Sequence, residues 1–290
     1  GWEKDKPPEK GTERIVYELH VKEFSYDKSG GFPLEYRGKY KAFTCKHTTL
    51  NNDGIHSTGL DYLKELGVTH IQIMPMYDYG SVDETDDSEF NWGYDPLNYN
   101  VPEGSYATDA FNGEVRITEM KEMIQAIHGA GFGVIMDVVY NHTYSLDSWF
   151  QRTLPWYFYR VFGDGTVSDG SACGNDIASE RAMCSKYILE SVLYWADEYH
   201  IDGFRFDLMG LIDVDLMNKI RKELDIRYGK GEKIIYGEPW SATDTAIEYG
   251  KKLADKAGIA LLDENIGVFC DNTRDVIKGS SLRLKEVGFI

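Results

Sequence analysis

The sequence predicts an α/β protein, a (β/α)8 barrel that stops after about six β/α units. Short apolar strands alternate with helical patterns along the chain, which is the signature of a parallel sheet. The polar, chemistry-bearing residues fall at the C-terminal ends of strands: Asp137 to His142 after one, Asp207 and Glu238 closing two others. The longest loops also follow strands rather than helices. A doubly wound open sheet would satisfy the alternation alone. The placement of polar residues and long loops favours the barrel, whose functional groups sit on that face.

Residues 1–12 are polar, contain Pro7-Pro8 and read as a linker; the barrel is expected over 13–290. The first strand is Arg14-Ile15-Val16-Tyr17-Glu18-Leu19-His20-Val21. A helix is expected over about 57–66, with Leu60, Leu63 and Leu66 at helical spacing. The second strand is His70-Ile71-Gln72-Ile73-Met74, closed by Pro75, and a long loop runs to about 116. A helix near 117–129 carries Met120, Met123, Ile124 and Ile127 on one face, and Gly133 to Val139 forms the third strand. After an aromatic, Gly-rich loop over about 140–178 comes an amphipathic helix at about 179–199. The fourth strand is 203–207 and the fifth 233–237, each expected to lead into a helix. The sixth is Ile266 to Cys270. A six-strand sheet leaves its outer strands with unpaired backbone groups, a costly state unless something covers them. The chain therefore reads as a fragment, its open edges completed by further strands or by self-association with a second copy.

The 290 residues carry 42% hydrophobic and 27% charged side chains, an ordinary globular balance. A net charge of −17 repels phosphate backbones and anionic lipid, so neither nucleic acid nor membrane is an expected partner. Cys45, Cys173, Cys184 and Cys270 form no CxxC pair, which gives zinc chemistry no support. Unpaired thiols and an N-terminus without an apolar leader favour a cytoplasmic over a secreted protein without deciding it.

Three motifs carry chemistry. Asp137-Val138-Val139-Tyr140-Asn141-His142 ends a strand and presents Asp, Asn and His to a polar substrate; the alternative is a buried strand finishing in an Asn turn. In Gly203-Phe204-Arg205-Phe206-Asp207, period-two alternation puts Arg205 and Asp207 on one face. On the interior face of a barrel, charges are expensive unless paired, and Arg205 would keep Asp207 ionised as a nucleophile requires. In Gly237-Glu238-Pro239-Trp240, a general acid at Glu238 must keep its proton near neutrality, through burial or a neighbouring carboxylate. Trp240 and Asp207 are the expected sources. Cleaving a glycosidic bond needs two such carboxylates flanking it. A fourth motif, Asn91-Trp92-Gly93-Tyr94-Asp95-Pro96, is either an aromatic wall for a sugar ring or an ordinary turn.

Three other patterns point elsewhere and fail. Gly129-Ala130-Gly131-Phe132-Gly133 precedes a strand instead of following one, so it is no dinucleotide loop. The run Asp83 to Glu89 lacks the alternating ligands and central glycine of a calcium loop and reads as solvated; calcium at an irregular site stays open. Asn141-His142-Thr143 matches a glycosylation acceptor but would lie inside the cleft.

The three catalytic motifs resemble signature regions of the α-amylase family of glycoside hydrolases. Asn91 to Pro96 resembles the hallmark of its type I pullulanase branch. Tyr17 to Ser25, Gly174 to Arg181 and Asp207 to Gly210 also look like that branch. The resemblance implies a retaining hydrolase that cleaves α-1,6 branch links in pullulan, glycogen or starch, with Asp207 as nucleophile and Glu238 as general acid/base. It implies a supporting charge network of Arg205 and Asp137, with Tyr94, His142 and Trp240 around the substrate. No organic cofactor is implied, and a carbohydrate-binding domain is implied upstream of residues 1–12. The family's fourth signature region, a His-Asp pair after the seventh strand, has no counterpart before Ile290. An isoamylase-like or α-amylase-like hydrolase, or a non-catalytic α-glucan-binding fragment, are the alternative readings.

Overall fold

The computed structural model describes residues 1–9, 11–280, 288 and 289. Residues 10, 281–287 and 290, which the sequence reading assigns to the linker and to the end of the barrel, lie outside them. Six parallel strands form one sheet in the order β1 (Val16–Leu19), β2 (His70–Ile73), β5 (Gly133–Val138), β6 (Gly203–Phe206), β7 (Ile234–Gly237) and β8 (Ile266–Val268). Helices α1 (Gly59–Glu65), α2 (Gly113–Gly129), α4 (Ala182–Glu198) and α5 (Val214–Tyr228) connect them, and α6 (Asp271–Lys278) follows β8. This is a partial (β/α)8 barrel, as the strand pattern predicts.

The strand sequences explain how the core divides. Ile71 and Ile73, Val134 and Met136, and Phe204 and Phe206 are fully buried. They alternate with Gln72, with Ile135 and Asp137, and with Arg205. The alternating positions share a face, and parallel register lines Asp137 up with Arg205 and Arg205 with Tyr236. The helices supply the outer layer of the core through Met120, Met123 and Ile127 of α2, Val192 and Trp195 of α4, and Ile220 and Leu224 of α5. On the inner side Gln72 donates to Glu18 at 2.9 Å and accepts from the Tyr236 hydroxyl, a polar chain crossing the barrel interior.

Three features differ from the expected layout. The loop after β2 contains an antiparallel pair, β3 (Tyr77–Tyr79) with β4 (Pro96–Pro102), instead of irregular chain only. The loop after β5 carries a short helix, α3 (Trp149–Thr153). The expected helix after the fifth strand does not form. Between β7 and β8 the described residues hold only a single 3-10 turn, Ile259–Leu261. This stretch is instead tied laterally to the start of α5, with Lys252 accepting from the Val214 amide and Ala254 donating to the Ile212 carbonyl, each at 2.8 Å.

The polar N-terminal stretch is anchored at its first five residues. The Trp2 ring stacks on His200 at 4.3 Å and its Nε1 donates to the Glu198 carbonyl. Asp5 Oδ2 lies 2.8 Å from Nδ1 of both His128 and His200, and the opposite nitrogen of His128 is 3.0 Å from Asp202 Oδ2. These contacts gather where β6 begins, at the end of the barrel opposite Asp207 and Glu238.

Candidate active site

Asp137, Arg205, Asp207 and Glu238 converge because three adjacent strands end together. Backbone register is carried past the sheet: the Asp207 amide donates to Val138 and the Glu238 amide to Phe206. Arg205 is the hub. Its Nη1 is 3.0 Å from Asp137 Oδ1 and 2.9 Å from Asp207 Oδ1, and its Nη2 is 2.6 Å from Glu238 Oε1. The pairing of Arg205 with Asp207 follows from their period-two spacing. The contact with Glu238 comes from the neighbouring strand.

One guanidinium cannot neutralise three carboxylates, so the Asp207 charge bears on both Asp137 and Glu238. Asp137 is fully buried; burial pushes its carboxyl up to about 8, against the pull of Arg205 and with repulsion from Asp207 added. Burial also raises the Glu238 pKa above the ordinary carboxylate value, with Arg205 opposing and Asp207 reinforcing the rise. Glu238 thus has the surroundings of an acid that holds its proton. Asp207 accepts from Arg205 and, at Oδ2, from Asn141 Nδ2 at 2.9 Å, the surroundings of a nucleophile.

The remaining predicted residues take distinct places. Tyr94 donates its hydroxyl to Asp137 Oδ2 at 2.8 Å, and burial raises its pKa, keeping it a donor. Its ring lies 5.9 Å from the Arg205 guanidinium. His142 is buried between two oxygens, Asn141 Oδ1 at 2.6 Å and the Tyr94 carbonyl at 2.9 Å. Burial lowers its pKa, and the Asp207 charge opposes that. Trp240 is half-buried, its ring 6.3 Å from Phe269. The hydrogen bonds that fasten Glu238 come instead from Arg205 and from the turn after β6, where the Leu208 amide donates to Oε2.

The Asn91–Pro96 motif forms the expected turn and brings the Tyr94 hydroxyl to Asp137. Asn91 Oδ1 accepts from the Gly93 amide in a local turn, which aims Tyr94 into the cleft and leaves Trp92 63% exposed. Asn141 itself is fully buried and bonded to Asp207, so the glycosylation pattern is inaccessible.

Sequence reading did not assign Asn141 its hold on Asp207, nor Leu208 its hold on Glu238. The adjacency of Asn141 to His142 is the signal for the first. The second has none, because Leu208 acts through its backbone.

One acidic group could hold a cation. Carboxylate oxygens of Asp78, Glu84 and Glu103 lie within 4.8 Å of one another. Glu84 belongs to the otherwise exposed acidic run. Burial raises Asp78 to about 6 and Glu103 to about 7. The protein's own donors already meet these oxygens: Arg116 grips Glu84 at 2.9 and 2.5 Å, Asn98 donates to Asp78, and backbone amides donate to Glu103. A cation there would have to displace Arg116.

A parallel barrel with paired carboxylates at its strand ends has close counterparts among known proteins. The family described as alpha amylase, catalytic domain, matches residues 47–159. The pullulanase of Bacillus subtilis strain 168 is 40% identical over 287 residues, 98% of this chain and 39% of the relative. Pullulanase 1, chloroplastic, of Arabidopsis thaliana is 33% identical over 97% of this chain and 33% of the relative. A solved pullulanase from Paenibacillus barengoltzii, in complex with maltohexaose and alpha-cyclodextrin, superposes with a TM-score of 0.93. It is 45% identical, over 100% of this chain and 44% of that one. The chain belongs to the α-amylase family of glycoside hydrolases. Within that family it belongs to the type I pullulanase branch, as a segment of the catalytic barrel spanning about two fifths of the curated Bacillus relative's length.

Proposed function

We propose that the full-length protein is a retaining glycoside hydrolase that cleaves α-1,6-glucosidic branch links in pullulan, glycogen or starch. The observation that carries this reading is the contact of one guanidinium, Arg205, with both Asp207 and Glu238. Glu238 donates its proton to the glycosidic oxygen while Asp207 attacks the anomeric carbon. The glycosyl–enzyme ester that forms is opened by water, from which Glu238 takes the proton. Arg205 and Asn141 hold Asp207 oriented, and Tyr94 and His142 face the ring under attack. This chemistry requires no organic cofactor. A calcium ion at the Asp78–Glu84–Glu103 group would first have to displace Arg116 from Glu84.

The test is product analysis on pullulan and amylose with the full-length protein. Release of maltotriose from pullulan with amylose left intact supports the reading. Cleavage of amylose instead makes the protein an α-amylase-like hydrolase, and binding of maltooligosaccharides without turnover makes it a glucan-binding module.

Two further readings concern this chain. The four cysteines are free thiols, which supports a cytoplasmic over a secreted location. Among the described residues β1 is an edge strand of the sheet, and Val16 and Tyr17 on it and Ile15 just before it are exposed, which supports self-association of the isolated 290-residue chain. Light scattering of that chain would show a dimer if this is right and a monomer if it is not.

A further inference from the structure

The segment Gly174 to Arg181 has no part in the chemistry above, yet two of its side chains reach both sides of the cleft. Asn175 is almost fully buried. Its Oδ1 accepts from the Thr143 amide at 2.9 Å and its Nδ2 donates to the Thr143 carbonyl at 2.8 Å. The Ile177 amide donates to the Asn141 carbonyl at 2.9 Å. The backbone on either side of His142 is therefore pinned by this one segment.

Asp176 is fully buried and does the same for the opposite rim. A carboxylate has about four acceptor sites, and four donors meet this one. Ser168 Oγ, the Gly170 amide and Thr245 Oγ1 each lie 2.7 Å from Oδ2, and the Ser171 amide lies 2.9 Å from Oδ1. Through them residues 168–171 become a strip that fastens the loop after Glu238. The Gly170 carbonyl accepts from the Ala242 and Thr243 amides, Ser168 Oγ from the Ala246 amide, and the Asp169 carbonyl from Thr243 Oγ1. The strip needs glycine at 170: a Cβ there would lie 2.8 Å from Leu211 and 3.0 Å from Thr245.

We propose that Asn175 and Asp176 are positioning residues for the debranching reaction, Asn175 acting through His142 and Asp176 through the loop that carries Trp240 away from Glu238. The inference rests on the proposed function and deepens it. A single dipeptide, far in sequence from Asp137, Asp207 and Glu238 alike, sets the two rims against each other. Displacing a reacting group by about 1 Å can cost roughly a hundredfold in rate, so loosening one rim should read out in turnover.

Thr245→Val removes one donor to Asp176 at nearly constant volume, together with that hydroxyl's contacts to Ser168 Oγ and Arg160 Nη1. Three readouts on the full-length protein test it. Hydrogen exchange followed by mass spectrometry should show faster exchange at Ala242, Thr243 and Ala246. On pullulan, kcat should fall about tenfold with KM within about twofold, the loss of a group placed for the transition state. The alkaline limb of kcat/KM should move to lower pH, because hydration weakens the burial that holds the proton on Glu238 and leaves the opposing pull of Arg205 in place. Thr245→Ser should restore all three. A Thr245→Val protein with wild-type exchange, kcat and alkaline limb overturns the proposal, as does a kcat loss that Thr245→Ser fails to reverse. Should the wild-type protein be inert on pullulan, the proposed function falls. The positioning role for that reaction falls with it, while exchange at 242–246 still decides whether the clasp exists.

Discussion

The Leu208 amide donates to Glu238 Oε2 at 2.9 Å, and Leu208 takes up a left-handed conformation (φ 39°, ψ 49°) to do so. The residue after the proposed nucleophile thus holds the proposed acid. The same turn grips the acid's backbone, since the Gly210 amide donates to the Glu238 carbonyl at 2.8 Å. Strain in an L-residue at positive φ persists only where surroundings enforce it, and such places gather at active sites.

Gly210 gives that turn a direct test. A Cβ at 210 would sit 2.6 Å from the Trp240 amide nitrogen and carbonyl oxygen, which are backbone atoms and cannot rotate away. Gly210→Ala should push the Glu238–Trp240 segment outward, lowering kcat at least about tenfold and stability by about 1–3 kcal/mol. Turnover on pullulan and a denaturant melt measure both.

Glu238 should set the alkaline side of the pH profile. Its pKa is raised by burial and by Asp207, so the protonated form persists above the ordinary value of 4.5. Activity that needs this proton is full below the raised value and is lost as pH rises through it. The pH dependence of kcat/KM should show an alkaline limb above the ordinary carboxylate range, and Glu238→Gln should abolish that limb together with about 10²–10⁴-fold of the rate.

Arg205 should not be replaceable by lysine. A single ammonium cannot reach Asp137, Asp207 and Glu238 at once with the geometry of a guanidinium fork. Arg205→Lys should lower kcat far more than it raises KM. Arg205→Met, which leaves buried carboxylates without a cation, should destabilise by about 3–5 kcal/mol, read from a chemical denaturation curve.

The N-terminal anchor should depend on pH. His128 lies between Asp5 and Asp202, and these partners raise its pKa against the lowering effect of burial. Because the folded value exceeds the ordinary 6.5, its contribution is complete below 6.5 and fades as pH rises through the folded value. The melting temperature of wild type should exceed that of Asp5→Asn most at pH below about 6.5. The gap should narrow on going alkaline.

The strands were legible in the sequence because each is a short apolar run whose terminal carboxylate or turn is local. Arg205 and Asp207 share a face by alternation alone, so their pairing could be read from two residues. The β3–β4 pair escaped because Tyr77–Tyr79 is three residues long and Pro96–Pro102 is bounded by prolines, which read as loop. The helix expected after the fifth strand lost to tertiary bonds with Ile212 and Val214. The anchoring of Trp2 and Asp5 was not legible because their partners, His128 and His200, lie more than a hundred residues away. The role of Asp176 was hidden for the same reason: Thr245 is distant in sequence and adjacent only in the fold.

Trapping the covalent intermediate tests the central claim most directly. The full-length Glu238→Gln protein, incubated with a 5-fluoro-α-glucosyl fluoride and digested, should yield one peptide carrying the added sugar mass. Fragmentation should place that mass on Asp207. Label on another carboxylate, or inversion at the anomeric carbon in wild-type turnover without any adduct, would contradict the account.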